Sequence, residues 1–102
     1  MQDELEAEQE KINAASRQKA EKARDGLLHR QQCYREVFDM TKPAVIVVME
    51  DLSRYCRVHT TTFNSNPALH AFAEGRKDAM LRVIQHLELD LAKLWKLYNN
   101  GG

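Results

Sequence analysis

Two pairs of residues have the types and spacing for metal chemistry: His29 with Cys33, and Cys56 with His59. Together they would form a two-cysteine, two-histidine set of the kind that holds zinc tetrahedrally. The spacing is loose for that purpose, because zinc modules usually set their cysteines two to four residues apart in a turn. Cys56 also continues an apolar series, Val45, Val48, Met49 and Leu52, in which a free thiol behaves as a small hydrophobe. The residues after His59, TTTFNSNP, favour a turn whose side chains satisfy the last carbonyls of one helix and the first amides of the next. No metal and no cofactor is expected.

Catalytic patterns are thinner still. The chain has no glycine-rich phosphate loop, no nucleophile elbow and no helix-borne His-Glu metal motif. Glu74 and Asp78 stand one helical turn apart, but nothing near them in sequence supplies a nucleophile or an oxyanion site. With Arg76 and Lys77 they read as a charged helix surface, and a partner's arginine would relieve their mutual repulsion. His70 and His86 fall on the flanks of the same helix, where a solvated or half-buried imidazole is the common case. No catalytic residue is assigned, and a non-enzymatic protein is expected.

The elements that carry these residues are helical. From Gln2 to Arg24 the only large apolar side chains are Leu5 and Ile12, set among strong helix formers. Continued to Phe38, that helix would be roughly 50 Å long, against a radius of gyration of about 13 Å for a globule of this size. Residues 1–33 therefore read as a polar helical arm that projects or lies along a neighbour, and residues 34–102 as a small helical domain. In that domain Thr41 can cap a helix with Pro43 in its first turn. Asn66-Pro67 opens a longer helix with Leu69, Phe72, Met80, Val83, Ile84 and Leu87 on one face. After Glu88 either Asp90 caps a last short helix, Leu91 to Tyr98, or the long helix simply continues. The expected fold is all-α, a long N-terminal arm plus a helical hairpin and a short C-terminal helix.

Gly75 is costly inside a helix and calls for a compensating reason. Ala71, Gly75 and Ala79 stand four apart and form a small-residue stripe, which predicts close packing of another segment, either around Tyr34 to Phe38 or from Val45 to Leu52.

Charge balances overall, fifteen Lys and Arg against fifteen Asp and Glu, but not locally. The first ten residues carry five acids and no base, whereas residues 11–35 carry seven bases and two acids. This order complements a helix macrodipole. The bases project in two rows, Lys11, Lys19, Lys22 and Arg30 on one side and Arg17, Arg24 and Arg35 on another, rather than in the single stripe expected along DNA. No apolar run approaches a membrane span, and the N-terminus is acidic where a signal peptide is basic, so a soluble, unexported protein is expected.

The segments YREVF, DLSRYCRVHTTTF and HAFAEGRKDAMLRVIQHL, with Tyr34, Phe38, Cys56, Phe63, Phe72, Glu74, Gly75 and Arg76, resemble a small domain of tailed-phage proteins typified by a Bordetella podovirus protein. The resemblance covers about residues 34–88, and F-x-E-G-R-K is its most specific part. It implies a virion or virion-assembly protein without catalytic activity, located in the particle and in the host cytoplasm during assembly. The partners it implies are phage structural proteins at the portal, tail or internal core, met by several copies of the chain in a ring.

Two surfaces are candidates for that docking: the arm, through Leu5, Ile12, Arg17 and Arg24, and the C-terminal helix, through Leu91, Leu94, Trp95 and Tyr98. Trp95 fits the domain's own core equally well. The alternative function is a nucleic-acid-binding accessory of genome packaging that uses the basic arm, and weak DNA contact is compatible with either reading.

Overall fold

Predominantly strong helix formers from Gln2 onward, with Gly26 the one costly exception, build one 36-residue helix, α1 (Gln2–Val37), about 54 Å long. The computed structural model describes residues 2–99, and three further helices follow: α2 (Pro43–Tyr55), α3 (Pro67–Glu88) and α4 (Leu91–Asn99). The chain is all-α with a long N-terminal helix, and all described regular structure is helical.

Each junction between helices has a local cause. After α1, both the hydroxyl and the amide of Thr41 donate to the Asp39 carboxylate, at 2.7 and 3.0 Å. These two bonds, the hydroxyl's first, hold the Asp39 carboxyl below its ordinary range. Thr41 is thereby diverted from the capping role expected of it. The N-cap of α2 is Lys42, without a side-chain cap bond, and Pro43 fills the position whose N–H would have no partner. α2 ends in a Schellman arrangement: Arg57 takes a left-handed φ of 55°, its N–H reaches Arg54 O at 3.1 Å, and the Val58 N–H reaches Ser53 O at 3.0 Å. Backbone amides, not the expected threonines, therefore satisfy the end of α2. Asn66 does cap α3, its Oδ1 accepting from the amides of Ala68 and Leu69. Asp90 does the same for α4, accepting from the Lys93 amide at 2.8 Å.

The core is narrow. Buried apolar side chains are Leu27 of α1, Met49 of α2, Ala73 and Met80 of α3, and Leu94 of α4. α1 packs against both α3 and α4, and α2 is held less closely, so α1 rather than a hairpin partner organises the body. Leu27 and Gln31 are buried although both fall in the stretch read as arm. Gly26, just ahead of Leu27, has open space where a side chain would stand. The apolar face expected of α3 is only half used: Met80 is buried, whereas Leu69 and Phe72 are exposed at the other end.

The radius of gyration is 20.1 Å and the extents are 64 × 38 × 15 Å. The short dimension corresponds to about two helix layers, since packed helix axes lie about 8–10 Å apart. The accessible surface is 8123 Å², against about 5,900 Å² for a globular chain of this mass.

Candidate interaction surfaces

The centre that holds the surfaces in place is His86, fully buried. Its ring stacks on Tyr34 with centroids 4.0 Å apart and meets Tyr98 edge-on at 5.8 Å. Nδ1 lies 2.6 Å from the Arg82 carbonyl, an acceptor, so a neutral ring carries its proton there and Nε2 accepts the Tyr98 hydroxyl at 2.8 Å. The Tyr98 ring also lies under the guanidinium of Arg82 at 4.4 Å and that of Arg30 at 5.5 Å. One histidine thus joins α1, α3 and α4.

Beside it, Gln31 donates to the Leu89 carbonyl at 2.7 Å, and Arg35 donates to the carbonyls of His86 and Leu89 at 3.3 and 3.2 Å. These carbonyls close α3 and would otherwise lack partners, and a guanidinium there also complements the helix dipole. Neither residue, nor the burial of His86, was expected from the sequence. The available signal was the spacing of Leu27, Gln31, Tyr34 and Phe38 along one face of α1.

This arrangement corrects part of the C-terminal reading. Leu94, expected at a partner surface, is 1% exposed and belongs to the core. A helix of nine residues can bury only one side, and docking on His86 through Tyr98 turns Leu94 inward. Leu91, Trp95 and Tyr98 are half-buried, and Arg24 of α1 lies 5.9 Å from the Trp95 ring. The small-residue stripe is corrected as well. Ala71, Gly75 and Ala79 are all exposed, and a Cβ built on Gly75 meets nothing within 4 Å. Among the described residues no segment packs there, because α1 approaches the C-terminal half of α3.

Next to that stripe, the family residues form a second assembly. The Arg76 guanidinium is held between the rings of Phe72 at 4.6 Å and Tyr55 at 4.8 Å, both rings more than half exposed. Its Nε is buried without a hydrogen-bond partner. Phe63, 75% exposed, meets His70 edge-on, and His70 Nδ1 contacts the carbonyl of buried Thr62. Lys77 donates to the Thr60 carbonyl, tying the connector to α3. Cys56 is the half-buried C-cap of α2, and Glu74 is exposed. Between α2 and α3 runs an open groove of about 760 Å³, lined by Met49, Arg54, Arg57, His59, Ile84 and Glu88 among others.

On the projecting part of α1, Leu5, Ile12, Arg17 and Arg24 are exposed. His29 and Cys33 are neighbours on α1, with Nε2 and Sγ 3.7 Å apart, and Cys56 and His59 do not join them. Among the described residues no three His, Cys, Asp or Glu side chains gather as metal ligands would. The arrangement can bind through stacked cations and exposed apolar side chains.

No curated protein and no solved structure matches the chain significantly. A family model described as "Bbp19-like phage protein" matches residues 34–99. That span includes α4, which the resemblance at residues 34–88 left out, and excludes most of α1. With well over half of its residues covered by that model, the chain belongs to the family of Bbp19-like phage proteins.

Proposed function

We propose that this phage protein is a non-enzymatic helical module of the particle or of its assembly, docking on a symmetric virion partner at the portal, tail or internal core. The observation that carries this reading is the excess of surface. The chain exposes about 2,000 Å² more than a globule of its mass, and a stable interface takes roughly 800 Å² from each partner. Part of the excess is apolar: Leu5 and Ile12 on the arm, Val47 and Val48 on α2, Phe63 and Phe72 at the connector and α3. A surface of this kind supports a protein that completes its packing on a neighbour.

The test is quantitative mass spectrometry of purified, DNA-filled particles of the parent phage, with the chain intact and with residues 2–20 deleted. A fixed ratio to the portal, lost on deletion while helicity of the remainder persists, is the expected result. Absence from particles with presence in infected cells, together with DNA binding that falls steeply with salt, would replace this reading with a packaging accessory acting through the exposed bases of the arm.

A further inference from the structure

The surface around Arg76 and the free end of α1 complement one another in three ways. The first is charge. Residues 54–73 contain Arg54, Arg57, His59 and His70 and no acid, and Arg76 follows in the aromatic sandwich; residues 1–10 contain five acids and no base. The second is apolar spacing. Leu5 and Ile12 lie seven residues apart, so they project from one face of α1 about two turns apart, and both are exposed. Leu69 and Arg76 are also seven apart, with Phe72 between them, Tyr55 over Arg76 and Phe63 beside His70. The third is area. Both surfaces are uncovered, and together they account for several of the large exposed apolar side chains of the chain.

The two surfaces cannot meet within one molecule. α1 is continuous from Gln2 to Val37, and its packing residues, Leu27 onward, fix its direction against α3 and α4. A helix of that length does not fold back. We propose that the occupant of the Tyr55–Phe72–Arg76 surface is the acidic arm of a second copy of this chain, with Leu5 and Ile12 seated against Phe72 and Leu69 and the glutamates between and beside them facing the basic connector. This rests on the assembly reading above and names one of the partners.

Such a contact joins different surfaces on the two copies, so a pair keeps one free patch on one copy and one free arm on the other, and the contact repeats head to tail. The exposed stripe Ala71, Gly75 and Ala79 borders Phe72 and leaves room for the incoming helix to approach closely.

The experiment is sedimentation velocity on the full chain over a wide concentration range, with two kinds of variant. Ile12→Asp disables the arm and Phe72→Asp disables the patch; Leu69→Asp is a second patch variant, and all three positions are exposed, so circular dichroism should match the parent chain. The parent chain is expected to self-associate, with an affinity that falls as salt is raised. Each variant alone should weaken association by about tenfold or more. An equimolar mixture of arm variant and patch variant should restore one competent contact and stop at a dimer. A parent chain that stays monomeric at every concentration overturns the inference, as does association that survives both variants or a two-fold dimer that mixing does not rescue. If the parent chain is monomeric and both variants are lost from particles, the arm and patch serve a different virion protein; the inference then fails while the assembly reading stands.

Discussion

Tyr98 and Arg57 illustrate how single residues govern this fold by opposite means. The Tyr98 hydroxyl is the partner that His86 Nε2 has in the interior, so Tyr98→Phe leaves a buried ring nitrogen unsatisfied without changing the packing volume. The expected cost is about 1–3 kcal/mol, read by urea unfolding followed by circular dichroism; an unchanged midpoint would mean that water replaces the hydroxyl. Arg57 occupies the left-handed position of the Schellman turn, which glycine takes at no steric cost. Arg57→Gly should raise stability by about 1 kcal/mol, measured the same way. A loss would show that the Arg57 side chain, which lines the groove between α2 and α3, contributes more than the backbone strain costs. Neither effect is legible from composition. Glycine is the residue whose left-handed role is usually read from sequence, and here both described glycines are helical while an arginine turns the chain.

At the scale of elements, what was legible follows the range of the interaction. The starts of α3 and α4 were readable because Asn66 and Asp90 bond amides two or three residues ahead. Thr41 was misassigned by an equally local competitor, Asp39, two residues behind it. Burial of His86, Gln31 and Leu94 was not readable, because it depends on α1 crossing to α3 and α4 across more than fifty residues of chain. The stripe on α3 was readable as a surface but not as an unfilled one. α1 itself combines two kinds of helix. Its last eleven residues are held by the core, whereas residues 2–25 have only their own hydrogen bonds and no buried side chain. Amide exchange should therefore be fast throughout residues 2–25 and should slow sharply past Gly26. Arm and body amides exchanging at one rate would show that the two unfold as a unit. On docking, the arm amides should gain protection.

For the molecule as a whole, only eight of the described residues are buried, so the interior is thin. The heat capacity and denaturant dependence of unfolding both scale with the surface newly exposed, and so small an interior exposes little that was not already wet. The free chain should accordingly melt over a broad range, with a calorimetric heat-capacity step well below the roughly 1.2–1.5 kcal/mol/K typical of a hundred-residue domain. A sharp transition with a full-sized step would point to a larger buried interior in solution, as self-association would supply. On the proposed assembly role, the same thinness would make stability a property conferred from outside. Each neighbour that covers a face adds cooperativity as well as contact, so incorporation into a particle would convert a soft, gradually melting chain into one that unfolds all at once.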